Sequence, residues 1–218
     1  MGASLPRILL TGFDPFAGEA VNPSWEAVRA LHGRRIGGHR VVALQLPTEF
    51  AASLRLLRSA VRQAAPSILL GVGQAGGRAR LSIERLAINL QDARIPDNAG
   101  AQPIDEPVVA DAPAAYFSTL PVKAMLAALQ AQGVPAEISN SAGTYVCNHI
   151  AYAMLHLASR RPGARAGFIH IPFLPAQAAR HPGAPSMTQA EVVRGLEIAL
   201  RTATATRRDR RLGAGTLD

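Results

Sequence analysis

Arg7-Ile8-Leu9-Leu10-Thr11-Gly12 is a short apolar run closed by a loop that holds Asp14, Pro15 and Gly18, as expected of a buried strand. The segment after it decides the fold. Asn22-Pro23 supplies an N-cap and a first-turn proline, and Trp25, Val28 and Leu31 recur at helical spacing up to Gly33. Arg40 to Leu46 is a second β-branched run, Phe50 to Ala65 a helix that Pro66 stops, and Ser67 to Val72 a third strand ending in glycines. Strand and helix alternate, so the chain is expected to form a single-domain α/β/α sandwich: a twisted, mostly parallel sheet with helices on both faces.

Further along, Leu81 to Leu90 fits either an extended segment that changes face or a helix, and is read here as extended. Asp92 to Ala115 carries Pro96, Pro103, Pro107 and Pro113 and must be a long irregular segment. Loops of that length in compact domains are usually functional. Pro121 to Gln132 reads as a helix closed by Gly133, Ala136 to Ser139 as a short strand, and Cys147 to Ser159 as a helix ended by Arg160-Arg161-Pro162-Gly163. Gly167 to Ile171 is a strand, and Thr188 caps a last helix to about Ala203. No internal repeat or interdomain linker interrupts the series, so residues 1–206 are expected to form one domain. Residues 207–218 read as an arginine-rich tail, solvated and open to disorder.

A chain of 218 residues with 48% hydrophobic content can bury a sizeable core, and at 5% aromatics that core must come largely from Ala, Leu, Ile and Val. The net charge of +8 is almost wholly arginine, Lys123 being the only lysine. An excess of this size is compatible with nucleic-acid binding, yet the arginines are dispersed. The one dense run, Arg207-Arg208-Asp209-Arg210-Arg211, is more simply a solvated face, and no nucleic-acid partner is expected. No stretch approaches the ~18 apolar residues of a membrane span, and the start Met1 to Arg7 lacks the regions of a signal peptide. The expectation is a cytosolic protein without membrane contact. One cysteine excludes an internal disulfide and a multi-cysteine metal site, leaving a buried hydrophobe or a reduced, reactive thiol.

Cys147 follows Ser139-Asn140-Ser141-Ala142-Gly143-Thr144, small polar residues at the start of a helix. A helix N-terminus carries partial positive charge and free amide donors, which lower a thiol pKa and stabilise an oxyanion. Taken alone, a lone cysteine is still more often a buried hydrophobe. A nucleophile needs a base. His149 is near in sequence, but residues two apart on a helix point to different faces, so it reads as a surface or packing histidine. His170 lies in the apolar strand Gly167-Phe168-Ile169-His170-Ile171-Pro172-Phe173, where an imidazole is costly to bury without a defined partner. A carboxylate from another segment should orient it, and Glu84, between the apolar Ile83 and the nearby Leu86, is a candidate that spacing alone leaves open. Gly71-Val72-Gly73-Gln74-Ala75-Gly76 also matches the G-x-G-x-x-G pattern of a dinucleotide turn, with Asp92 at a plausible distance. That signal is weak, and Arg78, Arg80 and the uncertain helix after the glycines fit it poorly.

The sequence resembles the pyroglutamyl peptidases of type I, also called pyrrolidone-carboxylate peptidases, over roughly Ile8 to Leu200. Five ordered motifs carry the resemblance: Thr11-Gly12-Phe13-Asp14-Pro15-Phe16 with Asn22-Pro23-Ser24; Gly73-Gln74-Ala75-Gly76-Gly77-Arg78; Ile83-Glu84-Arg85 leading to Asn89 and Asp92-Ala93-Arg94-Ile95-Pro96-Asp97-Asn98; Ser139 through His149; and His170-Ile171-Pro172-Phe173-Leu174-Pro175. The resemblance implies that Cys147 is the nucleophile, His170 the base and later acid, and Glu84 the carboxylate orienting His170. Arg94 is implied near the attacked carbonyl, sharing the oxyanion with the Cys147 amide. Phe13, Phe16, Asn22, Thr48, Ile95, Tyr145 and Val146 fall on substrate-binding positions, and Gln74 on one that hydrogen-bonds the lactam. By the same resemblance the substrates are N-terminally pyroglutamylated peptides, no metal or cofactor takes part, and the assembly is a homotetramer. Tyr145 stands where many relatives have Phe, and the tail after Ala203 has no secure counterpart.

Overall fold

β1 (Arg7–Phe13) leads into α1 (Pro23–Arg29), whose N-cap Asn22 accepts from the Ser24 amide while Pro23 fills the first turn. The computed structural model describes residues 5–215, so the reading of the first four residues as free of a signal, and of the last three as tail, falls outside the described residues. α1 stops at Arg29, short of Leu31, and the chain reverses at Gly33 (φ 75°) into the hairpin of β2 (Arg35–Ile36) and β3 (His39–Leu46). α2 (Phe50–Ala64) ends where Ala65 turns left-handed (φ 44°) ahead of Pro66, and β4 (Ile68–Gln74) follows.

The ambiguous segment is extended, and it divides. β5 (Leu81–Glu84) joins the main sheet, while β6 (Leu86–Ile88) pairs with the short β7 (Ala115–Phe117) in a separate ribbon. The change of face falls at Arg85, whose amide donates to Ser139 and whose carbonyl accepts from Ser118. α3 (Val122–Ala131), β8 (Ala136–Ser139), α4 (Val146–Ser159), β9 (Arg165–Ile171), the single turn α5 (Pro175–Ala178) and α6 (Gln189–Ala205) complete the chain. Thr188 and Glu191 form a capping box at the start of α6.

The seven-stranded sheet runs β2-β3-β1-β4-β9-β5-β8. β3, β1, β4 and β9 are mutually parallel, β5 runs antiparallel to β9, and β8 is parallel to β5. Alternate residues of the parallel strands are buried on both faces, as a doubly covered sheet requires. Leu9, Leu69 and Phe168 pack with α2 and α4, and Ile8, Leu70 and Ile169 with α1, α3 and α6. The segment 207–215 is irregular and mostly exposed, yet it is tied down: Asp209 accepts from the Lys123 and Ala124 amides at the start of α3, and the Leu212 and Ala214 carbonyls accept from Lys123 Nζ and Arg85 Nη2. Among the described residues no helix is long and apolar enough to cross a membrane.

Candidate active site

The site begins with a missing side chain. A Cβ placed on Gly73 would lie 2.7 Å from the Cys147 sulfur and 2.9 Å from the tip of the Phe168 ring, so only glycine leaves the sulfur room against β4. Gly73 is the register partner of His170 on the neighbouring parallel strand. Register partners project to the same face about 4.8 Å apart, so the imidazole stands beside the space that the sulfur fills. Cys147 is delivered there as the second residue of α4, one position later than the start of the helix.

Glu84 reaches His170 diagonally. It opposes Phe168 in the antiparallel β5–β9 pair, and His170, two residues along β9, lies on the same face. His170 Nδ1 and Glu84 Oε1 are 2.7 Å apart, with both residues buried, at 4% and 2% exposure. A carboxylate can only accept, so Nδ1 carries the proton and Nε2 is left as the basic nitrogen. Arg78 Nη1 donates to the same Glu84 oxygen at 2.8 Å, while Glu84 Oε2 is buried without a partner among the described residues.

The thiol departs from the sequence expectation. Cys147 as a residue is half-buried, but burial of its sulfur pushes the thiol up to about 12; the Glu84 carboxylate adds to the rise and Arg78 opposes it. Desolvation and a neighbouring negative charge outweigh the helix terminus. Burial therefore favours the protonated thiol, whose proton leaves as a base receives it. His149 is a packing histidine: it is 3% exposed, neither ring nitrogen meets the geometry of a hydrogen bond among the described residues, and its ring stands edge-on to Phe50 at 5.5 Å. Burial lowers its pKa to about 4, keeping it neutral.

Beside the thiol is an aromatic wall. Tyr145 packs edge-on against Phe50 at 5.4 Å and lies 6.3 Å from Phe16, while Phe13 lies 6.4 Å from Phe168. The Tyr145 hydroxyl donates to the Pro96 carbonyl at 3.0 Å, so the hydroxyl that replaces the hydrogen of Phe fastens the long irregular segment to this wall. Ile95 next to it is 42% exposed, and Val146 is fully buried. Arg94 is exposed and makes no hydrogen bond or ion pair with any described residue.

Three predicted binding residues spend their side chains on the scaffold. Asn22 accepts from the Ser24 amide and hydroxyl and donates to the Asp14 carbonyl. Thr48 donates from its amide to Asp14 Oδ1 at 2.6 Å and from its hydroxyl to the Asp14 carbonyl at 3.1 Å. Gln74 Oε1 accepts from Gln177 Nε2 at 3.2 Å, and Gln177 Nε2 also donates to Glu19 and Val21, so the Gln74 side chain is held towards α5. Sequence reasoning missed the anchors. Asp14 joins three loops. Asp97 accepts from the Phe50, Ala99 and Ala101 amides, and so pins the irregular segment to the start of α2. Their trace in the sequence is an Asp beside Pro within a turn.

The G-x-G-x-x-G match has another cause. Side chains of Phe168, Cys147 and Phe173 occupy the Cβ positions of Gly71, Gly73 and Gly76, and the segment runs on into β5 with no helix for a phosphate. No cluster of three or more metal-ligating side chains occurs among the described residues.

The sequence profile of the pyroglutamyl peptidase family matches residues 6–206. The pyrrolidone-carboxylate peptidase of Erwinia tasmaniensis is 56% identical over 211 residues, covering 97% of this chain and 99% of that protein. That of Cupriavidus taiwanensis is 55% identical over 215 residues, 98% of this chain and all of its own. Among solved structures, pyroglutamyl peptidase I from Bacillus amyloliquefaciens superposes with a TM-score of 0.93 at 46% identity, covering 96% of this chain and 100% of that one. A mutant pyrrolidone carboxyl peptidase from the hyperthermophile Pyrococcus furiosus gives 0.88 at 40% identity, with 91% and 98% covered.

Proposed function

The chain belongs to the pyroglutamyl peptidase family of cysteine peptidases, and from that premise we propose that Cys147, His170 and Glu84 carry out its reaction, the release of N-terminal pyroglutamate from peptides. The observation that carries the assignment is the Cys147 sulfur seated over Gly73, beside a histidine whose other nitrogen is bonded to a buried carboxylate. His170 Nε2 takes the Cys147 proton as the sulfur attacks the pyroglutamyl carbonyl carbon. The Cys147 amide, in the first turn of α4 and so without an intrahelical acceptor, supports the oxyanion. Arg94 adds positive charge there from the irregular segment. His170 then protonates the leaving amine, and water hydrolyses the thioester.

Specificity follows from the wall. Pyroglutamate is a flat, uncharged lactam, and a slot edged by Phe16 and Tyr145, with the buried Phe13 and Val146 packed behind them, accepts it, whereas a terminal ammonium would lose its hydration without gaining a partner. Ile95 closes the slot from the side. Asn22, Thr48 and Gln74 act in this reading through the backbone they position, which leaves main-chain groups to read the lactam.

No metal or cofactor takes part in these steps. The proposal includes a cytoplasmic location, where a lone thiol stays reduced, and a homo-oligomer, a tetramer by resemblance, which light scattering of the purified protein tests directly. The test of the mechanism is hydrolysis of a pyroglutamyl-arylamide with detection of free pyroglutamate. His170→Ala abolishes turnover, whereas His149→Ala acts through stability and leaves the folded fraction active. Equal loss of turnover in both, without unfolding of either, would refute the assignment of the base.

A further inference from the structure

We propose that Arg78 is a positioning residue for this hydrolysis, holding the Glu84–His170 pair in place against the loop that delivers Cys147; the inference rests on the triad described above. Its guanidinium acts in two directions. Nη1 donates to Glu84 Oε1 at 2.8 Å, the oxygen that also meets His170 Nδ1, and Nη2 donates to the Ser141 carbonyl at 3.0 Å. Ser141 belongs to the loop between β8 and α4, so one planar group ties the acid to the run into the nucleophile helix.

The chain is shaped to bring it there. The Phe173 ring occupies the place of a Cβ on Gly76, Gly77 is left-handed (φ 89°), and the Arg78 amide closes the turn on the Ala75 carbonyl at 3.3 Å. Glu84 gives the reason. Its Oε2 is buried and unpartnered, so among the described residues Arg78 and His170 are the hydrogen-bonding groups of this carboxylate. A buried anion needs a full positive charge beside it, and a neutral imidazole does not supply one. Arg78 is that charge before the Cys147 proton moves. A lysine could supply the charge but not both bonds, because only a guanidinium forks in one plane.

The test compares Arg78→Met and Arg78→Lys with the full-length wild type on a pyroglutamyl-arylamide. Arg78→Met is expected to lower kcat by about 100-fold, the scale of a misplaced reacting group, with KM little changed. Alkylation of Cys147 by iodoacetamide should need higher pH in Arg78→Met, because the cation that opposes the rise of the thiol is gone. Arg78→Lys restores the alkylation profile but not kcat. A wild-type kcat in Arg78→Met overturns the proposal. So does a loss confined to melting temperature and to the titre of active molecules, with the alkylation profile unmoved. If Cys147→Ser is inactive while Arg78→Met behaves as wild type, only this inference fails; if Cys147→Ser turns over normally, the triad reading fails as well.

Discussion

Gly73 is the residue on which the geometry turns, because the sulfur fills the space where its side chain would be. Gly73→Ala would set a methyl group 2.7 Å from Cys147 Sγ and 2.9 Å from Phe168. The sulfur is the softer neighbour to move, being held by one side-chain rotation rather than by a packed ring. The substitution should cost about 1–3 kcal/mol of stability, as overpacking does, and about 100-fold in kcat through displacement of the Cys147 sulfur. A melting curve and steady-state kinetics check both, and an unchanged kcat would show that the sulfur has another place to sit. Seen in sequence, Gly73 belongs to a spurious nucleotide motif, since a glycine spacing does not reveal which side chain presses on each glycine. Arg78 was hidden for the same reason. Its partners, Glu84 and Ser141, are 6 and 63 residues away, and no local pattern joins them.

At the scale of elements, α2 and the irregular segment after Gln91 depend on one carboxylate. Asp97 Oδ2 accepts from the Phe50 amide at 2.8 Å, and Oδ1 from Ala99 and Ala101 at 2.9 and 2.8 Å. Asp97→Ala should cost about 1–2 kcal/mol, the scale of a lost N-cap. It should also raise KM more than it lowers kcat, because it frees the Ile95–Pro96 wall and leaves Cys147 and His170 in place. An equal KM in the variant, measured on the same arylamide, would separate this segment from substrate binding. The α/β alternation was legible because buried parallel strands are apolar throughout and their helices carry clear caps, as at Asn22 and Thr188. β2, β7 and α5 were not legible, since elements of two to four residues are too short to show a period. The pairing of Glu84 with His170 depended on β5 running antiparallel to β9, which no residue of β5 encodes on its own.

Over the whole molecule, the chain after α6 acts as a strap. Arg207, Arg208, Arg210 and Arg211 are exposed and form no salt bridge with described residues, while Asp209 between them caps α3 through the Lys123 and Ala124 amides at 3.1 and 2.9 Å. Composition favoured a solvated tail because four charges outvote one aspartate in any average. Asp209→Ala should cost about 1 kcal/mol and lower the melting temperature by about 2–4 °C, with turnover unchanged. A melting temperature equal to wild type would mean that the strap is not bound in solution.

The proposed reaction rests on the sulfur of Cys147, and its most direct test is hydrolysis of a pyroglutamyl-arylamide by wild type and Cys147→Ser at equal concentrations of folded protein. Serine keeps the fold and the position but offers a hydroxyl far harder to ionise than the thiol. Wild type is expected to turn over, losing all activity on alkylation of its single cysteine, and Cys147→Ser to show none above background. Turnover near the wild-type rate in Cys147→Ser would contradict the proposed reaction.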